Sequence, residues 1–158
     1  MLPEEVAKFI GKTGDITVME VEKGAIRRYA DAVGDFNPLY WDEEYAAKSR
    51  YGSIIAPPGF FGWPTRWSQW GPTYTNLREE LMAALARAGY RRALDGGIDY
   101  EFFSPVRAGD ILAASPKIID IYQRETKTGT LIFTVTETTY TSQNGELVAK
   151  ARQTLIYR

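Results

Sequence analysis

From Ala93 onward the chain consists of long alternating segments joined by turns too short to hold a helix. Ala93–Phe103, Ile111–Arg124, Gly129–Ser142 and Leu147–Tyr157 are the candidate strands, rich in β-branched and aromatic residues. Arg107-Ala108-Gly109-Asp110, Lys127-Thr128-Gly129 and Gln143-Asn144-Gly145 separate them, and Asn-Gly is a strong hairpin signal. In Leu131-Ile132-Phe133-Thr134-Val135-Thr136-Glu137 the alternation is visible. Segments joined this tightly imply an antiparallel sheet.

The first half has a different grammar. Asp15–Val21 reads as a short first strand. Ile26, Tyr29, Ala30 and Val33 then recur at helical spacing, one stripe that Gly34 ends. A short helix is expected over Asp42–Ser49, with Asp42, Glu43 and Glu44 in the first turn where the helix dipole favours them. Ile54 to Gly59 contains Pro57 and Pro58 and cannot be regular helix. Trp63, Trp67 and Trp70 fall at i, i+4 and i+7, a helical spacing with Pro64 tolerable only near its start. Leu77–Ala88 is the clearest helix, with Leu77, Leu81 and Leu85 as its stripe, Asn76 and Glu79 as a capping box, and Gly89 as its stop. Helices first and strands after give an α+β fold, a sheet packed on helix. One domain spanning 1–158 is expected, with no linker or repeat.

Composition narrows the chemistry. With no cysteine there are no disulfides, thiolate zinc sites or cysteine nucleophiles. With no histidine the commonest metal ligand and the commonest general base are both absent. No spaced acidic cluster resembles a carboxylate metal site, so no metal and no cofactor are expected. A formal charge of -1 gives no reason to expect nucleic acid or an anionic membrane as partner. Met1–Gly14 mixes Glu4, Glu5, Lys8 and Lys12 with apolar residues, so it has no signal-peptide core. No run approaches the ~20 apolar residues of a membrane span, and a cytoplasmic location is the expectation.

The order of short motifs carries more. A helix leads into Gly34-Asp35-Phe36-Asn37-Pro38-Leu39-Tyr40, followed by Asp42–Tyr45 and Ala46, then Ile55-Ala56-Pro57-Pro58. Ser104-Pro105-Val106-Arg107-Ala108-Gly109-Asp110 later opens a strand. This order closely resembles the MaoC-like dehydratases, or hydratase 2 proteins, and within them the N-terminal-type, FAS1-like group. The resemblance runs from Asp15 to Arg158, with Trp63–Tyr74 the least familiar part. Gly-Asp-x-Asn-Pro with its downstream spacing is a specific signal, whereas Arg-x-Gly-Asp alone is weak.

The resemblance implies the hot-dog fold, a long helix wrapped by a curved antiparallel sheet and dimerised through the sheet edge. It also implies that acyl thioesters of CoA or acyl carrier protein bind in a tunnel at the dimer interface. Members of the group include subunits that pair with catalytic partners in mycobacterial hydroxyacyl-ACP dehydratases and steroid-degrading hydratases. In catalytic members an aspartate and a histidine five residues later hold and activate water. Hydrating a 2-enoyl thioester needs a base for the water, a proton for the α-carbon and donors for the enolate oxygen.

Asp35 falls on the aspartate position and Tyr40 on the histidine position. A phenol with an ordinary pKa of about 10 is a poor base at neutral pH. The dyad is broken, and no catalytic residue is assigned. Asp35 and Asn37 also suit a turn beside Pro38, and Tyr40 suits packing or a substrate wall. The substrate-binding set expected from the resemblance and the local chemistry is Asn37, Tyr40, Tyr51, Pro58, Gly59, Phe60, Trp63 and Trp67. In it, Gly59 lets a backbone N–H approach a thioester oxygen. Trp63, Trp67 and Trp70, with Phe60, Phe61 and Tyr74, form either core or dimer packing or an acyl wall. Ser53 has no histidine to activate it. Arg27, Arg28, Lys48 and Arg50 either meet CoA phosphates at a tunnel mouth or are simply solvated.

The expected function is that of a non-catalytic, tunnel-forming subunit of a heteromeric (R)-specific enoyl-CoA hydratase or 3-hydroxyacyl-thioester dehydratase. Its partner would be a hot-dog chain carrying the complete Asp/His pair. Two alternatives stay open: a self-sufficient homodimeric thioester enzyme, hydratase or thioesterase, using Asp35 with Tyr40 or Tyr51, and a non-enzymatic acyl-CoA-binding or dimerisation module.

Overall fold

The computed structural model describes residues 1–65, 76–127 and 129–158. In chain order the first elements are α1 (Glu4–Ala7), β1 (Thr17–Glu20), α2 (Lys23–Val33), α3 (Pro38–Trp41) and α4 (Glu43–Lys48). They are followed by β2 (Trp63–Pro64), α5 (Asn76–Arg87), β3 (Ala93–Phe102), β4 (Ile111–Thr126), β5 (Gly129–Ser142) and β6 (Leu147–Tyr157).

All six strands join one antiparallel sheet in the order β2-β1-β4-β5-β6-β3. The hairpins β4–β5 and β5–β6 form its centre. Bulges between Ile118 and Asp120, Asp95 and Gly97, and Tyr140 and Thr141 bend the strands. The result is the curved half-barrel of a hot-dog fold.

Two buried clusters fill the inside. One lies under α5, where Leu81, Ala84 and Leu85 pack on Ile118, Ile121 and Ile132, with Val6 and Phe9 from the segment around α1. α5 is the helix that the sheet wraps, 12 residues as described. The other cluster gathers Ala25, Ile26 and Ala30 of α2 against Ile54, Ile55, Phe60, Phe61, Leu112 and Val148. Of the helical stripe read from the sequence, Ile26 and Ala30 are buried and Tyr29 packs against the cluster, while Val33 at the end of the helix is exposed. Gly34 ends the helix. Asp42 caps α4, accepting from the Glu44 and Tyr45 N–H groups at 2.9 and 3.0 Å.

The sequence-based expectations miss the short helix α1 and two further features. α3 is one, a single turn capped by Asn37 with Pro38 in its first position. Trp63 is the other: its spacing predicted a helix, but Trp63–Pro64 lies alongside β1, pairing Glu20 with Trp63 and Met19 with Pro64. Gly62 is the cause. It sits at φ 87° so close to Glu20 that an added Cβ would stand 2.7 Å from the Glu20 carbonyl carbon. That contact lays the next two residues along β1, and Pro64 is tolerated because the strand is an edge. Trp67, Trp70, Tyr74 and the Asn76 side chain of the expected capping box lie outside the described residues.

Candidate functional site

The motif Gly34–Tyr40 is a pair of side-chain-capped turns between α2 and α3. Asp35 accepts from the Asn37 N–H through Oδ1 at 3.1 Å, and Asn37 accepts in the same way from the Leu39 N–H at 3.1 Å. Trp41 donates its ring N–H to the Asp35 carbonyl at 3.2 Å. These bonds turn the chain so that Tyr40 points inward, only 6% exposed.

A clamp holds the loop opposite. Ala56 N–H donates to the Val106 carbonyl at 2.8 Å, and Ala108 N–H to the Ile54 carbonyl at 3.0 Å. The chain leaves this clamp through Pro57-Pro58-Gly59-Phe60, a tight turn closed by the Phe60 N–H on the Pro57 carbonyl at 3.1 Å. Gly59 has φ 90°, as the third position of a type II turn requires, with a proline before it. Its own N–H has no acceptor among the described residues. The Tyr29 and Tyr100 hydroxyls stand beside its Cα face.

Between motif and turn lies a cavity of about 430 Å³. Of the residues expected from the sequence, Asn37, Tyr40, Tyr51, Pro58 and Phe60 all line it. Gly59 joins two of these wall residues in sequence. Trp63 is elsewhere: it is 45% exposed and faces a separate surface hollow with Glu20, Glu22 and Arg28. Asp35 is tied into its turn and is not among the described lining residues. Trp67 lies outside the described residues.

Phe61, a candidate acyl-wall residue in the sequence, and Arg50, a candidate tunnel-mouth cation, also line the cavity. Leu39, Ile55, Ala56, Pro57, Pro105 and Val106 fill the remaining wall, together with Phe102, Phe103 and Ser104, which were not anticipated. Phe61 stacks on Phe102 at 6.2 Å and on Tyr140 at 4.0 Å between centroids. The signal was faint: Ile98, Tyr100 and Phe102 alternate with Asp99 and Glu101, which marks a two-faced strand without saying what its apolar face meets.

Electrostatically the cavity is quiet. Among its described lining residues no carboxylate appears, and the titratable groups are Tyr40, Tyr51 and Arg50. Burial, reinforced by the nearby Asp35 and Tyr51, pushes the Tyr40 phenol above the usual tyrosine range. That is opposite to what a proton acceptor needs. Arg50 donates to the Tyr51 hydroxyl at 2.6 Å and lies over its ring at 4.8 Å, so it is the cation at the rim. The other basic residues near the motif are engaged: Arg27 with Glu43 at 3.3 Å, Lys48 with Glu44 at 2.6 Å, and Arg28 with Glu22 at 3.9 Å. Such a cavity can bind an apolar group and donate hydrogen bonds. Among its described lining residues it holds no proton acceptor active at neutral pH.

The family described as FAS1-like, dehydratase domain region, matches residues 8–151. A Thermomonospora curvata protein named "Probable enoyl-CoA hydratase alpha subunit" is 31% identical over 139 residues. That match takes in 83% of this chain and 43% of the relative, so this chain spans less than half of that protein's length. The ChsH1-ChsH2 complex from Mycobacterium tuberculosis contains a chain of the same fold, with a TM-score of 0.77 at 19% identity, covering 97% of this chain and 93% of that one. A chain of the C-terminally truncated HadBC (3R-hydroxyacyl-ACP dehydratase) complex from the same organism gives a TM-score of 0.65 at 25% identity, covering 94% and 96%. The chain belongs to the FAS1-like dehydratase family.

Proposed function

We propose that this chain is the non-catalytic, acyl-tunnel-forming half of a heteromeric (R)-specific enoyl-CoA hydratase or 3-hydroxyacyl-thioester dehydratase. The observation that carries the reading is Tyr40, buried and held neutral where catalytic relatives need a base. The cavity supplies apolar walls for an acyl group, and the Gly59 N–H supplies a donor for a thioester oxygen. Water activation is then left to a second hot-dog chain with an aspartate and a histidine five residues apart.

Strand β3 gives such a partner a place to dock. It ends the sheet order, and Ile98, Tyr100, Phe102 and Phe103 are exposed along it, the last two in the cavity wall. A chain added at this edge would extend the sheet and cover the open side of the cavity. The names of the relatives fit this arrangement, since one is an alpha subunit and two come from two-component complexes. The substrate is an acyl-CoA or acyl-carrier-protein thioester, handled in the cytoplasm; among the described residues no helix is long and apolar enough to cross a membrane.

The test is hydration of a 2-enoyl-CoA, followed by loss of enoyl absorbance. The chain is assayed alone and co-purified with a hot-dog protein bearing the complete Asp/His motif, sought first in the neighbouring gene. Activity is expected only from the pair. Turnover of roughly 1–1000 per second by this chain alone would overturn the reading.

A further inference from the structure

The inside of the sheet holds a second cavity, of about 210 Å³, between α5 and β5. Its lining is inverted relative to an ordinary sheet interior. β5 turns Thr134, Thr136, Thr138 and Tyr140 into it and sends Phe133 to the other face, where Phe133 stacks on Tyr122 at 4.9 Å. Gln153 of β6 lies in register with Thr136 and lines the same space. On the far side, Ala114 of β4 sits between Thr17 of β1 and Tyr140 of β5, and its small side chain leaves depth.

Two of these hydroxyls are almost sealed from solvent, Thr134 at 2% and Thr17 at 6% exposed. Neither has a hydrogen-bond partner for its hydroxyl among the described residues. Burying an unpaired hydroxyl costs free energy that an alanine or valine would not. The two hydroxyls stand at opposite ends of the cavity: Thr17 is level with Tyr140, six residues or roughly 20 Å along β5 from Thr134, whereas Gln153, opposite Thr136, is beside Thr134. Tyr140 stacks on Phe61, and Phe61 lines the cavity beside Tyr40. The two spaces therefore stand back to back across one aromatic pair.

We propose that this second cavity receives the distal part of an acyl group that carries oxygen there, as hydroxyl or carbonyl, bound by Thr134 and Gln153. The inference rests on the acyl-tunnel role and adds the substrate class, an oxygenated acyl group in place of a plain saturated chain. Threonine hydroxyls and the glutamine amide each donate and accept, so either form of oxygen is satisfied. A saturated chain leaves the Thr134 hydroxyl unpaired and is selected against for that reason.

Calorimetric titration of the full chain with saturated fatty acids of graded length and their ω-hydroxy analogues tests this. None of these ligands is a thioester. The hydroxylated acid is expected to bind roughly tenfold more tightly at its best length. Thr134→Val should abolish that preference and raise the Tm of the free protein, because an unpaired buried hydroxyl has been removed; Thr134→Ser should keep the preference. Equal affinities, no binding by either series, or a preference that survives Thr134→Val would overturn the inference, and a cavity that holds only water gives one of these results. Failure of the partnered hydration assay leaves these titrations untouched, and equal affinities leave the hydratase pair untouched, so the two readings fail separately.

Discussion

The two buried clusters are held in place by different means. Under α5, the contacts come from residues that the helical or strand period puts on one face: Leu81 and Leu85 from the helix, Ile118 and Ile132 from the strands. Around the motif, much of the wall rides on irregular chain: Tyr40 beyond two capped turns, Phe60 beyond Gly59, Phe61 beside Gly62. Periodic elements bury apolar area efficiently but aim side chains only where their period allows. Turns aim them elsewhere, at the cost of needing particular residues. The cavity lies where the chain is irregular, and the framework that holds it lies where the chain is regular.

That contrast predicts where substitutions should hurt. Leu85 is fully buried under α5, so Leu85→Ala should have the largest effect, a loss of about 4 kcal/mol in urea unfolding with the cavity at Tyr40 unchanged. A loss below ~1 kcal/mol would mean that α5 is not part of the stabilising framework. Gly62→Ala should come next. Its positive φ and its contact with the Glu20 carbonyl oppose any side chain, for about 2 kcal/mol. The change should also move Phe61 and weaken acyl binding, which Leu85→Ala should not; equal effects on binding from the two variants would erase the distinction between the clusters.

Alkaline pH probes both clusters together. Burial raises the pKa values of Tyr40 and Tyr100 near the cavity and of Tyr157 under α5. Folded values above the unfolded one mean that this stability is complete below about pH 10 and is lost as pH rises through the raised folded values. Unfolding midpoints measured across that range should fall. Tyr40→Phe should flatten part of the fall; a curve identical to that of the unsubstituted chain would show that Tyr40 is not sealed.

The smallest effect lies outside both clusters. Glu137 is held below the usual carboxylate range, mainly by its hydrogen bond from Arg152 at 2.7 Å. A lowered folded pKa gives stability that is present above the ordinary glutamate value, about 4.3, and lost as pH falls through the folded one. With Arg152 half exposed, Glu137→Gln should cost only about 0.5 kcal/mol at neutral pH, and sensitivity to salt is the check.

The same contrast explains what the sequence could reveal. α2, α5, β4, β5 and β6 are legible because each buries one face, and a repeating face leaves a repeating pattern; β3, exposed along its length, is legible from its alternation alone. Asn37, Tyr40, Tyr51, Pro58 and Phe60 line one cavity. Trp63 does not join them, because a tryptophan spacing cannot report that Gly62 has pressed the chain against β1. Phe102 and Phe103 escape because their place in the wall depends on β3 lying beside β6, a pairing between distant segments. The alternation of β5 is plain, yet its phase is not: Phe133 and Val135 look like the inward set, and Thr134 and Thr136 face the cavity. Register with β4 and β6 decides that, and register is not a property of one strand.

Strand β3 also bears on how the protein is made. It pairs with β6, from Ala93 with Tyr157 to Phe102 with Ala149, although β4 and β5 lie between them in the chain. During synthesis, therefore, β3 emerges well before the strand it needs. The hairpins β4–β5 and β5–β6 close from near neighbours, while β3 has a long loop to close. Until β6 arrives, Leu94, Ile98, Tyr100 and Phe102 sit on a strand with two open edges, a hazard for association between nascent chains. Asp95, Asp99 and Glu101 lie among them and oppose such stacking by charge. Pulse-labelled amide exchange during refolding should show β3 gaining protection last.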